Sequence, residues 1–162
     1  MSEQDSSLQI RLASASDADS IAAVLHAAFV EYEPRYTPGG FAATTPSAEQ
    51  INQRLSEGPI WVALHGDRVV GTISAVSKEQ GCYVRGMAII PSARGQRIGE
   101  RLLEQVERFA LEQGAHRLYL STTPFLERAI RLYEHYGFQR SAEGPAALFG
   151  TPLFTMVKPL RV

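Results

Sequence analysis

Residues 89–103 read IIPSARGQRIGERLL, and the interpretation of the rest of the chain depends on this stretch. The apolar run from Met87 to Ile90 predicts a buried strand, which Pro91 ends. Apolar residues then recur with helical spacing at positions 98, 102, 103, 106, 109 and 110. The stretch therefore predicts a strand, a glycine-containing loop and a helix over about residues 96–113.

The loop between this strand and helix has the features of an anion-binding site. The first turn of a helix leaves backbone N–H groups unpaired, and they lie at the positive end of the helix dipole. Gly95 and Gly99 leave room for a phosphate beside those donors, while Arg94, Arg97 and Arg101 add positive charge. A pyrophosphate is the expected ligand, although such glycine turns also occur without one.

The loop has neither the Gly-Lys-Ser/Thr ending of a P-loop nor the Gly-x-Gly-x-x-Gly of a dinucleotide fold. It resembles instead the coenzyme-A loop of the GNAT (Gcn5-related N-acetyltransferase) superfamily, Arg/Gln-x-x-Gly-x-Gly/Ala. Arg94 and Gly99 match that pattern, whereas Arg97 stands at its central glycine. The arginine at this position affects the expected shape of the loop rather than its role, because Arg97 still offers a main-chain N–H to a phosphate.

A second stretch, residues 129–138 (AIRLYEHYGF), resembles the other signature of the same superfamily, Ala-x-x-Leu-Tyr-Glu-x-x-Gly-Phe. One helix and one strand separate the two motifs, as in the superfamily, and the resemblance covers most of residues 8–158. It implies a single acetyltransferase domain over residues 1–162. The implied fold is α/β (α+β), with a mixed central sheet of about six to seven strands and about four helices on its faces. Residues 1–7 are polar and without pattern, which predicts a disordered terminus.

The resemblance also implies a reaction and the residues that carry it. Acetyl-CoA is the expected co-substrate, and an amine acceptor is expected to attack the acetyl carbonyl directly. Tyr133 is expected to protonate the departing thiolate, because a phenol stays protonated at neutral pH. Without the resemblance, a core tyrosine is the simpler interpretation. The residues expected to bind the co-substrate are Met87, Ala88, Ile89, Arg94, Gly95, Gln96, Arg97, Ile98 and Gly99.

The general base is expected outside residues 81–88, where some superfamily members carry a glutamate, because this stretch contains no carboxylate. Glu31 and Glu33 are the expected candidates; Glu79, or a water held by Ser121 or Thr122, are the others.

The alternative function is a non-catalytic acyl-CoA sensor or interaction module. The missing base favours it, as does Leu126, which stands where many members carry an asparagine that bonds the cofactor. Tyr133 opposes it, since a sensor needs no acid at the sulfur.

Residues 31–41 (EYEPRYTPGGF) are rich in proline, glycine and aromatic residues, which predicts a long loop. Such a loop suits the wall of an acceptor site, and an ordinary packed surface loop explains it equally well. Further along, the apolar runs 60–64 and 68–76 predict a hairpin, and Gly86 predicts a bulge or a close backbone approach in the strand after it.

The chain has 162 residues, with 16 basic and 17 acidic side chains and a net charge of -1, so a nucleic-acid partner is not expected. Its one cysteine, Cys82, is interpreted as a small core residue. There is no signal-peptide pattern and no apolar run of membrane-spanning length, so we expect a cytoplasmic protein without a membrane partner. No metal site is expected. A homodimer and the identity of the acceptor are left open.

Overall fold

Residues 8–161, which the computed structural model describes, form nine strands and five α-helices. The strands are β1 (Leu8–Leu12), β2 (Ile60–His65), β3 (Arg68–Lys78), β4 (Gly81–Ile89), β5 (Arg117–Thr122), β6 (Gln139–Ser141), β7 (Ala147–Leu148), β8 (Thr151–Pro152) and β9 (Phe154–Pro159). The helices are α1 (Ala18–Phe29), α2 (Pro38–Thr44), α3 (Ala48–Leu55), α4 (Ile98–Glu112) and α5 (Glu127–Tyr136). Short 3-10 helices cover Ala15–Asp17, Val30–Arg35 and Pro91–Ala93. The predicted disordered terminus, residues 1–7, lies outside this range.

Seven strands form one mixed sheet in the order β1-β2-β3-β4-β5-β9-β6. The pair β4 and β5 is parallel, and the other neighbours in this sheet are antiparallel. Helix α4 connects the parallel pair, as expected for a strand-helix-strand crossover. The predicted fold class and number of sheet strands are therefore confirmed, as is the β2–β3 hairpin, while the helices number five rather than about four.

Strands β4 and β5 separate after a short stretch of pairing. The paired residues are Cys82 with Leu118 and Tyr83 with Tyr119, whereas β4 continues along β3 as far as Ile89. The edge of β4 beyond Tyr83 therefore faces a gap in the sheet instead of a neighbouring strand. Its backbone groups are available there to a ligand.

Gly86 lies at the bulge that the sequence predicts. Thr72 pairs with Ala88 and Ser74 with Arg85, so two β4 residues, Gly86 and Met87, stand opposite one residue of β3. Gly86 has a φ of 61°, a left-handed conformation that glycine adopts without steric cost. The bulge re-aims the end of β4 toward the gap.

Residues 31–41 are mostly helical, which corrects the predicted long loop. A 3-10 helix covers Val30–Arg35, and α2 begins at Pro38. Proline is tolerated at the first helical position, because the N–H it lacks has no partner there. Thr37 caps the helix, since its hydroxyl oxygen accepts from the Gly40 N–H at 3.0 Å. Pro38 therefore starts a helix in a segment where proline was expected to prevent one.

Short polar side chains define the helix starts. Before α1, the Ser14 N–H donates to Asp17 at 2.9 Å. At α3 the cap is Ser47, whose N–H donates to Gln50 at 2.9 Å. Helix α5 begins at Glu127. A cap depends on the local path of the chain, so several nearby Ser, Thr and Asp residues can compete for it.

Strands β7 and β8 were not predicted, and they form a separate two-stranded hairpin. Thr37 ties this hairpin to the start of α2, because its N–H donates to Thr151 Oγ1 at 3.0 Å and its hydroxyl donates to the Phe149 carbonyl at 2.7 Å. At Gly40 a Cβ would lie 2.3 Å from Thr151 Oγ1, so only glycine permits this approach.

Across residues 8–161, no helix is both long enough and apolar enough to cross a lipid bilayer. The same residues contain no cluster of three or more His, Cys, Asp or Glu side chains that could bind a metal ion.

Candidate active site

The loop between β4 and α4 presents backbone donors to a cavity of about 360 Å³, here called the first cavity. The Arg101 N–H donates to the Arg97 carbonyl at 3.2 Å, which closes the first turn of α4. The N–H groups of Ile98, Gly99 and Glu100 come before this bond and have no partner within the helix. All three residues line the first cavity, so their donors and the positive end of the helix dipole lie at its wall.

Arg97 adopts a left-handed conformation, with φ 63° and ψ 18°, directly before α4. Glycine reaches this region freely, whereas an L-residue pays about 1–2 kcal/mol there. The loop therefore has at Arg97 the backbone shape that a glycine adopts most easily. The left-handed conformation of Arg97 also explains why α4 begins at Ile98 rather than near Gln96, where the sequence predicted its start.

Substituting Arg97 separates the shape of the loop from its charge. Arg97→Gly is expected to raise the free energy of unfolding by about 0.5–1 kcal/mol, because the relief of strain exceeds the added chain entropy of glycine. Arg97→Ala removes the same charge without relieving the strain, so it is the matched control. Denaturant unfolding checks the expectation, which fails if the glycine variant is less stable than the alanine variant.

The two loop glycines differ in their surroundings. Gly95 has a φ of 82°, and a Cβ there would meet no atom of the described residues within 4 Å. At Gly99 a Cβ would lie 2.6 Å from Leu132 Cδ2 and 3.0 Å from Met87 Cε. Gly99 therefore lets the start of α4 pack closely against α5 and β4, in addition to leaving its N–H open to the cavity.

Positive charge around the first cavity comes from a different set of arginines than the sequence suggested. Arg94, Arg97 and Arg128 line it, whereas Arg101 does not. Arg94 is already engaged, because its Nη2 lies 3.0 Å from Glu31 Oε1 and 3.3 Å from the Ala28 carbonyl. Arg128 belongs to α5, so no pattern within the loop could have revealed it.

Eight of the nine residues predicted to bind the co-substrate line the first cavity: Met87, Ala88, Ile89, Arg94, Gly95, Arg97, Ile98 and Gly99. The exception is Gln96, whose Oε1 lies 2.9 Å from His65 Nε2 outside the cavity. The structure therefore brings the loop and the end of β4 together around one space, as the sequence predicted. Their role in binding stays a prediction.

A second cavity of about 280 Å³ shares four wall residues with the first: Phe29, Met87, Leu126 and Tyr133. Its polar wall residues are Tyr36, Thr44, Arg54, Tyr83, Arg85, Ser121, Thr122 and Thr123. Among the described residues, no carboxylate and no histidine lines it. The two cavities adjoin at these shared residues, where β4 and β5 separate, and the pair is here called the passage. Its two ends differ in chemistry.

Tyr133 lies where the two cavities meet. It is 8% exposed, and its ring packs against Phe138 with centroids 5.7 Å apart. Burial raises the pKa of its phenol. Its hydroxyl makes no hydrogen bond to another residue in the described part of the chain. The phenol is therefore a protonated donor without a competing partner.

The predicted bases lie elsewhere. Glu31 is paired with Arg94 and its side chain is 47% exposed, and Glu33 is also exposed. Neither residue lines either cavity, so the geometry does not support a role for them as general base. That role stays a prediction. Ser121 and Thr122 do line the second cavity, beside Thr123, whose buried hydroxyl has no partner within residues 8–161. These hydroxyls could hold a water there.

The segment predicted as an acceptor wall contacts both cavities. Tyr36, which is 8% exposed, lines the second cavity, whereas Tyr32 lines the first. Both rings pack on Phe125, with centroid distances of 4.9 Å for Tyr36 and 6.1 Å for Tyr32. The β7–β8 hairpin adds Leu148 to the same wall of the second cavity. Two tyrosines four positions apart thus face different ends of the passage.

Comparisons with known proteins agree with this architecture. Residues 22–138 match the sequence profile of the acetyltransferase (GNAT) family. The chain is 32% identical over 106 residues to YjgM of Escherichia coli, described as an uncharacterized N-acetyltransferase, which covers 62% of this chain and 64% of that protein. It is 38% identical over 102 residues to an IAA acetyltransferase of Azospirillum brasilense, which covers 61% of this chain and 66% of that protein. The chain thus spans just under two thirds of each relative.

Among solved structures, the PaiA N-acetyltransferase from Thermoplasma acidophilum, determined in complex with coenzyme A, superposes with a TM-score of 0.81 at 17% identity. The match covers 95% of this chain and 99% of that one. At this identity the likeness concerns the fold, and it extends over nearly the whole chain.

Proposed function

Since the chain belongs to the GNAT acetyltransferase family, we propose that it transfers an acetyl group from acetyl-CoA to an amine. The observation that carries the proposal is the passage formed by the two cavities, with Tyr133 at their junction. The first cavity offers N–H groups that can donate hydrogen bonds to phosphate, and the second cavity offers a polar chamber for a second substrate. A reaction between two bound molecules needs a site for each and a place where their reacting atoms meet.

The first cavity has the chemistry that a long, phosphate-bearing thioester requires. The open N–H groups of Ile98, Gly99 and Glu100, with Arg97 and Arg128, suit a pyrophosphate. The unpaired edge of β4 suits the amide groups of the pantetheine arm, because each can form a backbone hydrogen bond there. The structurally similar Thermoplasma protein was determined in complex with coenzyme A, which is consistent with binding of this co-substrate by the same fold.

In the proposed reaction, acetyl-CoA supplies an activated acetyl group. The acceptor nitrogen forms a bond to the acetyl carbon, and the bond from that carbon to sulfur breaks with its electron pair on sulfur. Tyr133 donates its proton to the sulfur and later regains one from solvent, while the nitrogen releases its extra proton to solvent. Backbone N–H groups at the end of β4, among residues 87–89, would stabilise charge that develops on the acetyl oxygen.

The acceptor must arrive at the reaction as a free amine, because none of the residues 8–161 that line the second cavity is a carboxylate or a histidine that could deprotonate it. A water near Ser121, Thr122 and Thr123 is the route that the described residues leave open. This same observation favours the alternative, an acyl-CoA sensor that binds without turnover. The two functions differ in one measurable quantity, the release of free coenzyme A in the presence of an amine.

The test combines binding with turnover. Calorimetry measures acetyl-CoA affinity, and a thiol reagent measures coenzyme A released with amino acids, polyamines, aminoglycosides and peptides. Cys82 adds little background, because it is buried and burial raises the pKa of its thiol to about 11. Binding with turnover supports the transferase, binding without turnover supports the sensor, and absence of binding contradicts both.

Tyr32 and Tyr36 are expected to affect different substrates, because they line different cavities. Tyr36→Ala should raise the KM of the acceptor several-fold and leave the KM of acetyl-CoA nearly unchanged. Tyr32→Ala, its matched control on the same segment, should do the reverse. Steady-state kinetics with one substrate varied at a time checks the pair, and equal effects of both variants on both substrates would count against the division.

A further inference from the structure

We propose that the acceptor is an amine that also carries a carboxylate, and that Arg54 binds this carboxylate in the second cavity. The inference rests on the proposed acetyl transfer and specifies the substrate class of that site. It starts from an imbalance of charge, since two arginines and no carboxylate line the second cavity in the described part of the chain.

Arg54 is only partly exposed, and within residues 8–161 its guanidinium forms no ion pair. It lies against the bulge of β4, where a Cβ at Gly86 would be 3.2 Å from Arg54 Nη1. Burial lowers the pKa of Arg54 and the charge of Arg85 lowers it further, while the carboxylate of Glu57 offsets part of this shift. A guanidinium held out of water beside a like charge is destabilised unless an anion joins it.

Arg85 is satisfied only in part. Its Nη2 pairs with Glu57 Oε1, but its buried Nε has no hydrogen-bond partner among the described residues. Glu57 is 49% exposed and does not line the cavity, so its charge lies outside the chamber. The chamber itself is therefore positive, and a carboxylate is the group that a guanidinium fork binds best.

The position of Arg54 also limits the distance between carboxylate and amine. Arg54 lies against Gly86, and the next residue, Met87, lines both cavities. Gly86 and Met87 are adjacent in β4, so the anion site and the junction at Tyr133 lie along the same short stretch of this strand. A short amino acid fits this spacing. A polyamine does not, because two arginines repel its second ammonium group.

The test compares each carboxylate-bearing amine with its neutral carboxamide, for example glycine with glycinamide and β-alanine with its amide. Wild-type protein should use the carboxylate with a kcat/KM at least tenfold higher. Arg54→Met should abolish that preference and leave the KM of acetyl-CoA unchanged, while Arg54→Lys should retain part of it. Arg108→Gln, an exposed residue on α4, is the matched control and should keep the full preference.

Two measurements on the unmodified protein test the same site if Arg54→Met does not fold. Propionate should inhibit in competition with the acceptor, whereas propionamide should not. In the presence of coenzyme A, N-acetylglycine should bind more tightly than N-acetylglycinamide, which can be measured by calorimetry even if no acceptor turns over.

Equal use or binding of acid and amide by wild type, or a preference that survives in Arg54→Met, overturns the inference. Better use of phosphoethanolamine than of β-alanine overturns the choice of a carboxylate. Acetyl-CoA binding without turnover of any amine contradicts the proposed acetyl transfer instead, and the acid-to-amide comparison with the N-acetyl compounds still decides the role of Arg54.

Discussion

Replacing Tyr133 with Phe is expected to lower kcat by about 100-fold or more, with little change in acetyl-CoA affinity. The substitution keeps the ring that packs on Phe138 and removes only the hydroxyl at the junction of the two cavities. Because burial raises the pKa of this phenol, wild-type Tyr133 carries its proton throughout the neutral range and can give it to sulfur. The loss should therefore appear in kcat rather than in KM for acetyl-CoA.

Tyr136→Phe is the matched control for this experiment. Tyr136 lies on the same helix, and it lines neither cavity, so the same chemical change there should leave kcat unchanged. If Tyr133→Phe lowers the melting temperature and kcat stays intact, the hydroxyl has a structural role. If acetyl-CoA binds to wild type without turnover and Tyr133→Phe changes nothing, the sensor is the better description.

The other large effect is expected at Gly99. Gly99→Asp should weaken acetyl-CoA binding by well over tenfold, or about 1.4 kcal/mol and more, since it places a negative charge among the open N–H groups of α4. Calorimetry measures the affinity directly. Unchanged affinity would show that the loop does not bind the phosphates.

Part of that loss comes from packing rather than charge, because any Cβ at Gly99 approaches Leu132 Cδ2 to 2.6 Å. The atom is the end of a flexible side chain, so it can move aside at small cost. Gly99→Asn has nearly the same shape as Gly99→Asp without the charge, which makes it the matched control. The aspartate variant should bind several-fold more weakly than the asparagine variant, and the difference should shrink as salt is added.

The loop and the second motif could be predicted because their signals are local. The order of strand, loop and helix around residues 89–103 follows from apolar spacing, a proline and two glycines that are close in sequence. The β2–β3 hairpin and the bulge at Gly86 follow from similar signals, and the structure confirms both. Helix boundaries are harder to predict, because a cap depends on the path of the chain and several nearby Ser, Thr and Asp residues suit it in sequence.

The sequence by itself thus determined the class of fold, the family resemblance and eight of the residues that line the first cavity, since each depends on chemistry within a short stretch of chain. Only the tertiary structure decided which side chains face each other across elements. In that structure Arg128 lines the first cavity, while Tyr32 and Tyr36 line different cavities. Glu31 forms an ion pair with Arg94, and Arg54 lies against Gly86. Apolar periodicity reports which face of a helix or strand is buried, but charge pairing and cavity lining depend on contacts between residues that are distant in sequence.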